Sequence, residues 1–462
     1  MSASATTFQR RGIGVIRPRA RWTESRLLGL VALTLIVGSV SLSLTVTGEF
    51  GLYDTRGLSI YLGAVGLSHL AQILAGRRSD EVIFPAVAML GGISLLLMQR
   101  LPQELQTLDI GSTTLGLGDV QLLWLCLAIG VLTTIAIVVR NDHWLRGYKY
   151  TWAALGIALL LLTFVLGSDV AGQRLTLRIG PFSGQPSELL KVILVVFLAG
   201  YLSENRRLLI EHDTRLGPLR LPPLPYLAPM VAMWAIALGV VVIQRDLGAA
   251  LLFFGVFLAL TYAATGRVSL VVIGSGLFLI GSAIMASLFP HVQERIAIWI
   301  DPWSDPLDSG FQIIASLHAF ARGGLLGLGL GNGLPLVDGR LPIPEIHTDF
   351  PLAALGEELG LVGVVAILGL FLVIITRGLR IGAGAADDFR AILATGLALV
   401  VGVQAFIIAA GNLKVLPLTG VTLPFISYGG SSLLANAIVI GLLLALSDRG
   451  VEPPPPPRPV AH

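Results

Sequence analysis

Long apolar runs separated by short polar breaks recur along nearly the whole chain. Twelve stand out, at residues 27–46, 58–75, 82–98, 121–139, 152–167, 187–202, 226–242, 247–263, 268–288, 350–376, 391–410 and 433–446. About 17–25 apolar residues are needed to cross a bilayer as a helix. The pattern therefore predicts an all-α polytopic membrane protein with about twelve transmembrane helices, several of them short or broken by glycine.

Two polar intervals differ from the rest. Residues 290–349 form a loop of about sixty residues, far longer than its neighbours, and loops of that length usually carry function. This one contains Trp299, Trp303 and the helical-looking stretch "FQIIASLHAFA", so it is expected to fold onto the membrane surface. The second, "PLTGVTLPFISYGGSSLLAN" from Pro417 to Asn436, reads as a re-entrant or broken helix. Irregular backbone at membrane depth is tolerated only where protein or water covers it.

Composition agrees: 54% of the 462 residues are hydrophobic and 13% charged, with a mean hydropathy of +0.82. The net charge of +3 comes from arginines in alternate loops and gives no support to a nucleic-acid partner. With the N-terminus inside, twenty-one of the 31 Lys and Arg residues fall on the cytoplasmic side, as the positive-inside rule requires. Both termini are then cytoplasmic, and 290–349 is extracytoplasmic. Six arginines precede Leu27, so 1–26 reads as a basic tail before a retained first helix. The end, 449–462, reads as a proline-rich cytoplasmic tail. The single cysteine, Cys126, rules out a disulfide within the chain and a thiolate metal site.

Candidate chemistry gathers at outer helix ends. "PEIHTDFPLAALGEELG", Pro344 to Gly360, carries four carboxylates and a histidine into an apolar run. Asp349, followed by Phe350 and Pro351, has the pattern of a helix N-cap, and capping and function can coexist. Glu357 and Glu358 lie two turns into that span, where ionisable groups are functional by default. Arg178 precedes "GPFSGQPSELLK", in which Glu188 and Lys191 share a helix face at i, i+3. Arg245 and Asp246 stand in "QRDLGAA", and Arg295 and Lys414 belong to the same side. Each alone reads equally well as a structural ion pair; together they suggest a polar cavity for an anionic substrate. The glycine-rich "GGLLGLGLGNG" follows no strand and lacks Gly-Lys-Ser/Thr, so it is a tight turn and not a nucleotide loop. His347 and Asp349 make a weak ligand pair, enough for a transient divalent cation such as Mg or Mn near Asp349.

"RIAIWIDPWSDPLDSGFQ", "GGLLGLGLGNG", "PEIHTDFPLAALGEELG" and "LPFISYGGSSLL" occur in this order between spans, after "GPFSGQPSELLK" and "QRDLGAA". In these motifs the chain resembles the SEDS (shape, elongation, division and sporulation) family of RodA- and FtsW-type proteins. The resemblance implies a ten-helix core over 81–448, with 27–80 as two additional N-terminal helices. It also implies a peptidoglycan glycosyltransferase that polymerises lipid II on the outer membrane face beside a class B penicillin-binding protein. The family's essential acid falls on Asp349, and the Glu and Lys of its Gln-Pro-Ser-Glu segment on Glu188 and Lys191.

The expected chemistry is one inverting displacement, taking an α-linked pyrophosphate to a β-1,4 bond. A partly desolvated Asp349 would be the base. The cations at Arg178, Lys191, Arg245 and Lys414 would stabilise the departing pyrophosphate. Asp246, Glu357 and Glu358 complete the expected substrate-binding set. The alternatives are a lipid II flippase, which needs polar residues along the whole path, and a scaffold that recruits the transpeptidase.

Overall fold

A computed structural model describes residues 20–448, apart from 111, 141, 171–172, 180–181, 212–213, 217–218, most of 222–245, and 335–340. Its main helices are α1 (Trp22–Val46), α2 (Thr55–Leu74), α3 (Ile83–Arg100), α4 (Leu117–Val138), the short α5 (His143–Gly147), α6 (Lys149–Leu166) and α7 (Pro186–Glu211). They continue as α8 (Leu247–Thr265), α9 (Val268–Leu288), α10 (Pro290–Ile300), α11 (Phe311–Gly323), α12 (Pro351–Ala383), α13 (Asp388–Asn412) and α14 (Gly430–Leu446). Among the described residues, nine helices are long and apolar enough to span a membrane, and α6 and α14 carry shorter apolar stretches. Eleven of the twelve expected spans are thus helical. The twelfth, 226–242, lies largely outside the described residues.

Polar residues set the helix ends. Asp246 caps α8, its Oδ1 accepting the Ala249 N–H at 2.9 Å, and Gly266 ends that helix in the left-handed region at φ +67°. Asp387 caps α13 in the same way through Arg390. Helix α1 starts at Trp22, earlier than the apolar pattern predicts, because the buried Arg21 and Glu24 pair with each other and Glu24 accepts from His69 of α2 at 2.6 Å. Arg21 also donates to Ser79 Oγ at 2.8 Å and to the Asp80 carbonyl. Helices α1 and α2 are therefore pinned to the start of α3.

Helix α13 lies at the centre, packed against α7, α8, α12 and α14, while α14 packs along α4 and α3 touches α1, α4 and α12. Helix α9 stands at the edge with none of its residues buried; Phe278 stacks on Phe254 of α8 at 4.1 Å. Three small antiparallel sheets, absent from the sequence reading, occupy loops: β1–β2 (108–115), β3–β4–β5 (168–184) and β6–β7 (214–221). Far from the loop 290–349, Arg77 is buried and bonds Asp448 at 2.6 Å and the carbonyls of Ile137 and Val139. That cluster joins the loop between α2 and α3 to the end of α14.

The long loop has secondary structure of its own. "FQIIASLHAFA" lies in α11 as expected, followed by the glycine-rich turn, which inserts into a break in α12. Gly360 has φ +66°, ψ −169°, and a Cβ there would sit 2.3 Å from the Gly327 nitrogen. The backbone groups freed by the break bond the turn instead: Leu361 and Val362 donate to Gly324 and Leu325, while Leu328 and Gly329 donate to Glu357 and Glu358. Gly327, at φ +81°, is the matching position, since its Cβ would meet the Glu358 carbonyl at 2.1 Å. Only glycine fits either place.

Candidate active site

The expected broken segment is non-helical from Leu413 to Gly429 and largely buried, with Leu423, Phe425, Ile426 and Ser427 almost fully enclosed. Protein groups bond several of its backbone atoms. Ser94 donates to the Ile426 carbonyl, Gln404 to the Thr422 carbonyl, and the Tyr428 N–H to the His347 carbonyl at 2.8 Å. This last bond fastens the segment to the loop that ends in Asp349.

Asp349 is not the expected N-cap. The helix is capped at Phe350 without a side-chain hydrogen bond, and the Asp349 N–H closes a turn before it by donating to the Glu345 carbonyl at 2.9 Å. The Asp349 carboxyl is left partly buried beside the turn. Burial, and then the charge of Glu345, push it up to about 6, against the opposing pull of Arg295. Asn412 of α13 fixes the backbone by donating to the Asp349 carbonyl at 2.8 Å. His347, two residues earlier, is buried against the Tyr428 ring at 5.8 Å. Burial holds its imidazole below the usual range, so it is neutral at pH 7.

A second acid lies alongside. Asp246 accepts from Gln185 Nε2 at 3.2 Å and Ser187 Oγ at 3.4 Å, both at the start of α7. Burial pushes its carboxyl up and the charge of Glu188 adds to this, while Arg295 again opposes. One arginine on α10 thus acts on both Asp246 and Asp349. Sequence reasoning placed Arg295 on the same side as the acids but not in the site, since nothing local shows α10 folding back over the helix ends.

Lys191 is almost fully buried, and its Nζ donates to Glu188 at 2.6 Å, Gln404 at 2.8 Å and Asn436 at 3.3 Å. An ammonium has three donors, so every one is used within the protein. Lys191 is a hub joining α7, α13 and α14, and it reaches Asp246 through Glu188. Lys414, in the left-handed region at φ 59°, donates to the Ile300 carbonyl at 3.3 Å and accepts from Trp299. It closes the C-terminal end of α10, where a cation is favourable.

Glu357 and Glu358 are not drawn to Asp349. Glu357, fully buried, pairs with Arg322 of α11 at 3.0 Å and accepts the Leu334 N–H, while Glu358 pairs with Arg100 and accepts the Gly331 N–H. The structure uses both to hold the glycine turn in the α12 break. Arg178 lies in β4 opposite Ser183, with its side chain outside the described residues, and Arg245 lies outside them altogether. Among the described residues no three His, Cys, Asp or Glu side chains converge as a metal cage. Glu345 and Asp349 offer two carboxylates, which suits an Mg ion held mostly by water and substrate phosphate.

A family model of cell cycle proteins, covering FtsW, RodA and SpoVE, matches residues 81–450. The chain is 38% identical over 396 residues to the peptidoglycan glycosyltransferase RodA of Mycobacterium tuberculosis, covering 85% of this chain and 83% of that protein. With the RodA of Mycobacterium leprae it shares 35% over 436 residues, 94% of this chain and 92% of the other. A probable peptidoglycan glycosyltransferase FtsW from a Geobacter species is 37% identical over 294 residues, 63% of this chain and 76% of that one. Among solved structures, one described as structural coordination of polymerization and crosslinking by a peptidoglycan synthase complex matches with a TM-score of 0.62 and 26% identity, covering 80% of this chain and 98% of the other. The Thermus thermophilus rod shape determining protein RodA matches in fold, with a TM-score of 0.54 at 24% identity over 80% of this chain and 97% of its own.

Proposed function

Since the chain belongs to the FtsW, RodA and SpoVE family of cell cycle proteins, we propose how it works as a peptidoglycan glycosyltransferase. The substrate is lipid II, the reaction is inverting hexosyl transfer, and the base is Asp349. The observation that carries this is Asp349 itself, held just before α12 by the Asn412 bond to its carbonyl, with a partly buried carboxyl pushed up to about 6 by burial and Glu345 and within reach of the Arg295 charge. Such a group is mostly ionised at neutral pH yet more basic than an exposed aspartate.

In the step, Asp349 takes the proton of the acceptor 4-hydroxyl as its oxygen attacks the anomeric carbon of the donor. The bond from that carbon to the pyrophosphate oxygen breaks, a β-1,4 bond forms, and polyprenyl pyrophosphate leaves. Arg295, whose charge acts on Asp349, and Lys414 at the end of α10 are the described cations of this reading, and Arg178 and Arg245 join them from sequence. They oppose the charge that develops on the leaving group. Glu345 and Asp349 would hold an Mg or Mn ion, which would supply further positive charge for the leaving group. Lys191 acts at one remove, by fixing Glu188 and the end of α7 beneath Asp246.

The active end faces the extracytoplasmic side, both termini are cytoplasmic, and a class B penicillin-binding protein crosslinks the strands. The charge bias of the loops supports the first two, and the likeness to a peptidoglycan synthase complex supports the third. The RodA relatives match more of the chain than the FtsW protein does, which favours elongation over division. A flippase needs a polar path across the bundle. Several deep polar side chains instead pair with each other, Gln121 with Ser94 and Ser68 with Thr133.

The test is polymerisation of labelled lipid II by purified protein, with and without the penicillin-binding partner. Wild type makes glycan polymer and Asp349→Asn makes none. Equal polymer from both removes Asp349 from the chemistry, and no polymer from either while lipid II crosses vesicles favours the flippase.

A further inference from the structure

The Asp349 carbonyl is held from outside its own segment. The Ala353 and Ala354 amides at the start of α12 go to the Phe350 carbonyl, which leaves the Asp349 oxygen to Asn412 Nδ2 at 2.8 Å. Asn412 is the last residue of α13 and fully buried. Its own carbonyl accepts from Ser316 Oγ of α11 at 3.0 Å, and Ser316 is equally enclosed. Helix α11 meets α12 a second time through Arg322 and Glu357 at 3.0 Å. The long loop is thus tied to the Asp349 backbone through two buried polar side chains.

We propose that Asn412 is a positioning residue for the Asp349 base and that Ser316 sets the place of Asn412. The inference rests on the transferase reading. A carbonyl oxygen only accepts, so the Asn412 amide presents its nitrogen to Asp349. Its Oδ1 is then buried with no partner among the described residues. One hydrogen bond contributes less than an orphaned buried polar group costs, so an apolar side chain would serve the core better at this place. What the amide supplies is direction. Its bond to the Asp349 carbonyl and the bond of the Asp349 N–H to Glu345 fix the peptide planes on both sides of the Asp349 Cα. The carboxyl hangs from that Cα, and a misplacement of about 1 Å in a reacting group costs on the order of 100-fold in rate. Asn412 does not meet substrate, so it acts on turnover and not on binding.

The experiment measures kcat and KM of lipid II polymerisation by the full chain with its penicillin-binding partner, and the thermal unfolding of each variant. Asn412→Leu keeps the bulk and removes the donor, and Ser316→Ala removes the hydroxyl at little cost in volume. Tyr61→Phe loses a buried bond of the same kind, to the Ala88 carbonyl at 2.6 Å between α2 and α3, and is the control for stability alone. The expected result is a kcat lowered about tenfold or more in Asn412→Leu and about threefold in Ser316→Ala, with KM within about twofold of wild type. In Tyr61→Phe kcat is unchanged. An Asn412→Leu kcat within about twofold of wild type overturns the proposal and leaves the transferase reading intact. An equal loss in Tyr61→Phe also overturns it, since stability alone then accounts for the effect. So does a raised KM with kcat kept, which puts Asn412 on the substrate. If Asn412→Leu does not fold, Ser316→Ala decides by the same split between kcat and KM. Wild type that makes no polymer overturns the transferase reading and this proposal with it.

Discussion

Asp349→Asn tests chemistry and energetics together. A carboxyl whose pKa rises from 3.8 to about 6 on folding is less comfortable ionised in the folded protein than in the unfolded one. The sign follows from linkage: between those values the folded state holds the proton more tightly, so stability falls as pH rises through the window. Above it the penalty is about 3 kcal/mol, at 1.36 kcal/mol per unit. At pH 5 it is roughly half of that, and at pH 4 only about 0.5 kcal/mol. Asparagine never ionises, so the variant is expected to lose polymerisation while gaining stability, with the gain shrinking as pH falls. Thermal unfolding of both proteins at pH 8, 5 and 4, in one detergent, reads this directly. A variant less stable than wild type at pH 8, or a gain that does not change with pH, refutes the reasoning.

Three other outcomes follow from the same geometry. The polymerisation rate of wild type falls about tenfold per unit below pH 6, and Glu345→Gln moves that acid limb to lower pH by removing a charge that raises Asp349; an unmoved limb in a pH–rate series removes Glu345 from the account. Gly360→Ala places a Cβ 2.3 Å from the Gly327 nitrogen at a backbone angle unsuited to alanine, and costs at least about 2 kcal/mol, seen as a lowered melting temperature or lost expression. Lys191→Met leaves Glu188, Gln404 and Asn436 without their shared donor and destabilises by about 3–5 kcal/mol, while adding Glu188→Gln recovers part of the loss in the same thermal assay.

The spans, the helix in the long loop and the broken segment before α14 were legible because each rests on a local pattern. Apolar length, a helical stretch and a Pro/Gly interruption need no knowledge of distant residues. Asp349 was legible as a candidate, but its role was not, since Asp-Phe-Pro looks the same whether or not the carboxyl caps the helix. What decides it is where the helix begins, and its cap position falls on Phe350 with no side-chain cap bond. Arg295, Asn412 and the Glu357 and Glu358 contacts were out of reach for a related reason. They join segments as far apart in the chain as Arg100 and Glu358, and an acid that anchors a turn has the same sequence signature as one that meets substrate. The first helix began early because buried partners for Arg21 and Glu24 come from α2 and the start of α3, which composition does not reveal.

The Arg77–Asp448 bond spans 371 positions of the chain and bears on biogenesis. Arg77 enters the membrane protein early in synthesis, yet its carboxylate partner emerges only after the last helix has been translated. Until then the guanidinium must stay in water or near lipid phosphate, and the loop between α2 and α3 cannot settle. Insertion can run helix by helix, but the Arg77 cluster closes only once Asp448 has cleared the ribosome. A chain truncated before Asp448 would carry an unmatched buried charge, a mark by which membrane proteases could tell unfinished copies from complete ones.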